Sequence, residues 1–195
     1  GFRNLENIVD FSIKKKISYL TLFAFSTENW KRPESEIKYL FDLIRKYFKK
    51  KISSLMEKGA RIKIIGNKNK LPKDVRKIIS NVEKITKKNK KIQILLALNY
   101  GSKEEIVNSF KKLIKKKVKK VSVKQISNYL YTSRIPDPEI LIRTGGYFRL
   151  SNFLLWQSAY SELFFLKKLW PDFKEKDFSK VIQKYYKIKR NFGSL

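Results

Sequence analysis

Cysteine and histidine are both absent from these 195 residues. Without cysteine there is no disulfide framework and no thiolate metal site, and without histidine the commonest general base and metal ligand is missing. Catalysis must then use carboxylates, amides, hydroxyls and cations, or a borrowed metal. Glycine (7) and proline (5) are scarce; no stretch rich in glycine, proline or serine marks a linker, and no internal repeat occurs. No uninterrupted apolar run approaches the roughly 20 residues that cross a bilayer. Gly1 to Lys16 lacks the apolar region of a signal peptide. Negative charge is thin as well, with 17 acidic residues against 46 basic ones and a net charge of +29.

What is there is the composition of a folded chain. At 42% hydrophobic and 14% aromatic the sequence argues against disorder, and its length fits one domain with a sizeable core. The positive charge attracts polyanions, whether nucleic acid, an anionic membrane surface or phosphorylated small molecules. Most of it is lysine, in a chain where isoleucine and asparagine also abound, which reads as genome-wide base composition. Only nine of the 46 basic residues are arginine, and these inform more, because a guanidinium fork makes bidentate phosphate contacts that an ammonium does not. With no recognised binding motif, nucleic acid is not an expected partner.

Strand-like runs recur at Tyr19 to Phe25, Arg61 to Gly66, Ile92 to Asn99, Glu139 to Thr144 and Tyr160 to Phe165. Helical patterns lie between and around them, at Asn4 to Lys16, Glu34 to Lys58, Pro72 to Lys88, Lys103 to Lys117, Val123 to Tyr129 and Lys174 to Lys189. Such alternation predicts an α/β fold, a mainly parallel sheet flanked by helices. In the second helix Ile37, Leu40, Phe41, Ile44, Phe48, Ile52, Leu55 and Met56 trace one face, which suits a core or the lining of an apolar cavity. The lysine run from Lys111 to Lys120 reads as the solvated face and end of a helix.

Three places concentrate polar groups. The first follows the apolar run Tyr19 to Phe25, which ends abruptly in Ser26, Thr27, Glu28, Asn29, Trp30, Lys31, Arg32 and Pro33. In parallel sheets ligands collect where such strands end. A plain helix start explains the caps and the proline, but leaves Trp30 and Arg32 unexplained. The second is a short apolar strand ending in Arg143-Thr144-Gly145-Gly146-Tyr147-Phe148-Arg149-Leu150-Ser151. Here the glycines expose backbone N–H groups, and Arg143, Arg149 and Ser151 offer bonds to a diphosphate; a glycine turn with solvated arginines is the simpler alternative. The third is Glu162, a carboxylate in an apolar and aromatic stretch, which calls for a salt bridge or a Mg2+ ion.

Together these runs carry a family likeness. FAFSTENWKRP, PDPEILIRTGGYFRLSNFLLWQSAYSELFF and LWPDF, with ALNYGSKEEIV between them and KRNFG near the end, closely resemble the cis-prenyltransferases of the undecaprenyl diphosphate synthase type. The likeness runs from Gly1 to Gly193. It implies that family's fold, a parallel sheet with helices around an apolar tunnel, and its homodimer. It also implies a Mg2+-dependent transferase that adds isopentenyl diphosphate to an allylic diphosphate such as farnesyl diphosphate. The product is a cis-polyprenyl diphosphate, the precursor of the lipid carrier for cell-wall glycans. Matching positions assign Ser26, Thr27, Glu28, Trp30 and Arg32 to substrate contacts and Asn29 to the proposed proton acceptor. They assign Arg143, Arg149, Leu150 and Ser151 to the isopentenyl diphosphate site and Glu162 to Mg2+. A cytoplasmic protein with peripheral contact at the inner face of the membrane is the expected setting.

Two departures accompany the likeness. The family's opening Asp-Gly-Asn-x-Arg-Trp strand and Gly-His-x-x-Gly turn have no counterpart, Gly1 aligning with the last glycine of that turn. The expectation is one cis-prenyltransferase domain over residues 1–195, N-terminally truncated, from an incomplete sequence or a mis-assigned start rather than a true loss. Half of the metal and phosphate site is then missing, so little activity is expected of this polypeptide alone. A catalytically inert partner subunit is the alternative function. Tyr147 stands where the family commonly has glutamate, which alters the surroundings of Arg149. In the NYGGR-like turn, Ser102 and Lys103 replace the second glycine and the arginine.

Overall fold

The computed structural model describes residues 2–190, with side chains from Asn4 onward. Gly1, and Asn191 to Gly193 of the KRNFG run, lie outside the described residues. In chain order the elements are α1 (Phe2–Lys14), β1 (Tyr19–Ser26), α2 (Glu34–Glu57), β2 (Ala60–Ile65), α3 (Lys73–Thr86) and β3 (Ile92–Tyr100). They continue with α4 (Ser102–Lys115), α5 (Val123–Tyr129), β4 (Ile140–Arg143), β5 (Glu162–Phe165) and α6 (Glu175–Tyr185). The chain divides into two compact units, one running from Ser12 to Ser133 and the other made of the residues up to Phe11 together with those from Arg134 onward.

In the Ser12–Ser133 unit, β3 lies between β1 and β2 and pairs with both in parallel. Its sequence is apolar without alternation, and Leu95, Ala97, Leu98 and Tyr100 are fully buried, as a strand covered on both faces requires. α2 and α3 pack on β2. From α3, Thr86 Oγ1 accepts the Ile62 N–H at 3.0 Å and Glu83 Oε1 accepts that of Ile64 at 2.8 Å. Side chains thus satisfy donors on the outer edge of β2 that would otherwise invite a foreign strand. α2 buries Phe41, Ile44, Tyr47, Phe48 and Leu55, while Ile37 and Leu40 on the same face are half-buried.

β1 differs from its sequence reading. Its unalternating apolar run predicts cover on both faces, yet Tyr19 is 41% and Phe23 38% exposed. The reason is position: β1 is an edge strand of this sheet, and its register slips around Phe25 before the strand ends. At the start of α4 a buried carboxylate anchors the chain. Glu105 accepts the Tyr100 hydroxyl at 2.5 Å and the Tyr131 N–H at 2.6 Å.

The other unit holds the parallel pair β4 and β5, with Ile140 opposite Glu162 and Arg143 opposite Phe165. Its core is largely aromatic: Trp170 stacks on Phe173, and Phe173 and Phe11 both meet Phe178 at 5–6 Å between centroids. β5 begins at Glu162 rather than Tyr160, because the Ser161 N–H closes a turn onto the Ser158 carbonyl. α6 stops at Tyr185 rather than Lys189, because the Lys187 and Ile188 N–H groups turn to carbonyls three residues back.

Candidate active site

The chain leaves β1 through a single turn of 3-10 helix, Thr27–Lys31. Ser26 is nearly buried at the strand end, and its N–H donates to Asn29 Oδ1 at 2.9 Å. Only an amide oxygen can accept that proton, so the Asn29 side chain has a defined orientation, with Nδ2 on the side away from the turn. Thr27 Oγ1 donates to Glu28 Oε2 at 3.2 Å. Trp30 meets Phe25 edge to face and lies tilted against Phe41, and its Nε1–H donates to Asn99 Oδ1 at 2.7 Å. Asn99 in turn donates through Nδ2 to the Asn67 carbonyl at 2.7 Å. Its left-handed backbone, φ 48°, is one that asparagine tolerates better than most residues. Arg32 pairs with Glu36 at 2.6 Å across a half-exposed turn of α2; a surface pair of this kind is weak and easily opened.

The second concentration follows β4. Arg143 Nη1 donates both to Ser151 Oγ and to the Arg149 carbonyl, each at 2.7 Å. One guanidinium thereby ties the strand end to the far side of the loop. Gly145 and Gly146 take positive φ values of 95° and 77°, which need glycine. The prediction that they offer N–H groups to a ligand is corrected by the structure. Gly145 donates to the Lys168 carbonyl at 2.7 Å and Gly146 to that of Leu166 at 2.9 Å. Those donors hold the loop against the chain after β5. Leu150 accepts the Phe153 N–H through its carbonyl, and Ser151 and Asn152 have left-handed backbones, so the loop is strongly constrained.

Among the described residues no carboxylate pairs with Arg143 or Arg149. Desolvation, and then repulsion from Arg149, hold the proton affinity of Arg143 below its ordinary level. Buried Arg143 Nε has no hydrogen-bond acceptor. With no carboxylate partner among the described residues, the two arginines concentrate positive charge at this loop.

Glu162 opens β5. Its Oε1 lies 3.6 Å from Arg190 Nε, so the salt-bridge reading is met. The same guanidinium donates to the Tyr160 carbonyl at 2.7 Å and the Tyr185 hydroxyl at 3.0 Å, and lies 3.9 Å from Glu139. No cluster of three or more acidic side chains forms among the described residues. Asn99 and Arg190 are the residues whose parts the sequence did not reveal. Both stand in motif runs of the family, ALNYG and KRNFG, and the rarity of arginine was the one signal that pointed to Arg190.

The residues from Ser26 to Arg32 and those from Arg143 to Glu162 belong to the two different units, so each group stands on its own geometry. Parallel strands whose ends carry an oriented amide in one unit and two uncompensated guanidinia in the other define an α/β protein equipped for an anionic substrate.

Comparison with known proteins makes the class specific. The Prenyltransf family, described as "Putative undecaprenyl diphosphate synthase", matches residues 1–193. An isoprenyl transferase of Thermotoga maritima is 44% identical over all of this chain and 85% of its own length. One of Helicobacter pylori is 42% identical over all of this chain and 86% of its own. Among solved structures, a probable undecaprenyl diphosphate synthase from Campylobacter jejuni superposes with a TM-score of 0.90 at 32% identity, covering 99% of this chain and 91% of that one. Lavandulyl diphosphate synthase from Lavandula x intermedia, in complex with dimethylallyl diphosphate, gives 0.94 at 30% identity over 98% of this chain and 86% of that one. The chain belongs to this prenyltransferase family, and the activity that goes with membership is cis-prenyl transfer.

Proposed function

We propose that the protein condenses isopentenyl diphosphate with an allylic diphosphate such as farnesyl diphosphate, building a cis-polyprenyl diphosphate of undecaprenyl length. The observation that carries this reading is the Arg143–Arg149–Ser151 loop, two cations and a hydroxyl with no carboxylate partner among the described residues. That loop would hold the diphosphate of isopentenyl diphosphate. A bond forms between the isopentenyl terminal carbon and the allylic carbon, the allylic diphosphate leaves with its electron pair, and a proton is lost from the condensed unit. With Oδ1 committed to the Ser26 N–H, Asn29 presents donor N–H groups, which suits it to orient a diphosphate oxygen rather than to take the proton. The proton then passes to diphosphate or water. Ser26, Thr27, Glu28, Trp30 and Arg32 would shape the allylic side.

Bound Mg2+ would neutralise charge developing on the leaving diphosphate. The residues present fit it in part. Mg2+ is commonly held by one or two carboxylates with substrate phosphates, and Glu162, whose side chain is 30% exposed, offers such a carboxylate. The family's other acidic ligand belongs to the Asp-Gly-Asn-x-Arg-Trp run, which these 195 residues do not contain. A catalytically inert partner subunit is the second reading, and the assay below separates the two.

The unbroken family match supports one catalytic domain over residues 1–195. Half-buried Ile37 and Leu40 on α2 support an apolar lining for the growing chain. Exposed Val107, Phe110 and Ile114 recur along one side of α4 and support a homodimer. The charge of +29 supports work at the cytoplasmic face of an anionic membrane; no described helix is long and apolar enough to cross one.

The test is incorporation of labelled isopentenyl diphosphate onto farnesyl diphosphate with Mg2+, products being sized after dephosphorylation. It is run on the protein as encoded, and little product is expected of a chain that carries no Asp-Gly-Asn-x-Arg-Trp segment. If the full-length protein binds isopentenyl diphosphate yet makes no polyprenol, the inert-subunit reading replaces this one.

A further inference from the structure

Tyr147 has no part in the reaction so far, and its surroundings supply one. Its ring centroid is 4.2 Å from Cζ of Arg149 and 5.5 Å from Cζ of Arg143. Arg143 is fixed by its bonds to Ser151 and the Arg149 carbonyl. The Arg149 guanidinium has no hydrogen bond among the described residues, so the tyrosine ring is what it rests on. The ring's own loop is anchored from both sides. Gly145 and Gly146 bond the chain after β5, and Phe148 packs on Phe165 at 5.3 Å.

Both guanidinia lie within 5.5 Å of one ring and repel each other, and each long side chain loses rotamer freedom when it is ordered on an anion. An aromatic face offsets both effects, since its negative quadrupole attracts a guanidinium from either side. A carboxylate at position 147 would also hold Arg149, but by cancelling one of the two charges. We propose that Tyr147 is a positioning residue of the diphosphate site, holding the Arg149 and Arg143 guanidinia at one ring without neutralising either. The inference rests on the reading of this loop as the isopentenyl diphosphate site. Its consequence is that this protein meets a diphosphate with one more uncompensated positive charge than a relative with glutamate there.

Calorimetric titration of the full-length protein with isopentenyl diphosphate tests this in three variants. Tyr147 is 53% exposed, so its replacement leaves the core intact. Tyr147→Phe keeps the ring and should bind within about twofold of the parent. Tyr147→Leu should bind about fivefold more weakly, with KM rising to match and kcat nearly unchanged. Tyr147→Glu should bind more weakly at low ionic strength and lose affinity less steeply as salt is added. A Leu variant that binds as tightly as the parent, or a Phe variant as weak as Leu, overturns the positioning role. A parent protein that gives no heat with isopentenyl diphosphate overturns the reading of the loop itself, and this inference with it.

Discussion

Replacing Trp30 by phenylalanine isolates a single atom pair on which the turn after β1 depends. The ring stays between Phe25 and Phe41, whose centroids lie 5.1 and 5.7 Å away, and only the indole N–H and part of the ring are lost. That N–H is the donor to Asn99 Oδ1 at 2.7 Å. Asn99 is 2% exposed, and its Nδ2 is held by the Asn67 carbonyl, so the amide cannot flip or reach water. An orphaned buried acceptor costs about 1–3 kcal/mol. For a chain of this size about 2 kcal/mol lowers the midpoint of thermal unfolding by roughly 4–8 °C. Asn29 rides on the same turn, so kcat should fall about tenfold or more through misplacement of its amide. Urea unfolding and steady-state kinetics of the full-length protein read the two effects separately. Asn99→Gly accepts the left-handed backbone and removes the acceptor, and on that background Trp30→Phe should cost at least about 1 kcal/mol less. A fully additive cycle, or a Trp30→Phe protein within about 0.5 kcal/mol of the parent, refutes the claim that this bond fixes the turn.

Asn29→Asp keeps an oxygen for the Ser26 N–H and removes the Nδ2 donors; stability should hold while turnover collapses with isopentenyl diphosphate binding intact, whereas retained or raised turnover would make residue 29 the base. Glu162→Gln leaves Arg190 its bonds to Tyr160 and Tyr185, so unfolding should barely change, while the Mg2+ concentration for half-maximal activity should rise about tenfold or more; an unchanged Mg2+ titration would leave Glu162 only its salt-bridge role. Lys63 lies half-buried on β2, and desolvation, followed by repulsion from Arg61, lowers its pKa below the ordinary 10.5. Its charged form is therefore disfavoured in the fold, a penalty present in full below the folded pKa and relieved as pH rises through that value towards 10.5. Lys63→Met should accordingly raise the melting temperature at neutral pH by an amount that shrinks in alkali, and a gain independent of pH would assign it to packing instead.

Periodicity was enough to locate the α-helices and strands of the described residues to within a few residues, because helix and strand patterns report burial face by face. It failed where burial depends on neighbours outside the element. β1 reads like β3, yet Tyr19 and Phe23 are exposed because β1 lies at the edge of its sheet. Residue chemistry can be read from the sequence in the same local way. Residue types marked Arg143, Arg149 and Ser151 as an anion cluster, since guanidinium and hydroxyl chemistry does not depend on context. Partners that depend on the path of the backbone stayed hidden. Nothing local joins Trp30 to Asn99, 69 residues away, or sends the Gly145 and Gly146 N–H groups to the carbonyls of Lys168 and Leu166. Those hidden bonds change the chemistry assigned to the visible residues. They leave Trp30 holding the turn that carries Asn29, and they commit the Gly145 and Gly146 N–H groups to carbonyls rather than to a ligand. They also make Tyr147, which reads from sequence only as a departure at one position, the surface on which Arg149 rests.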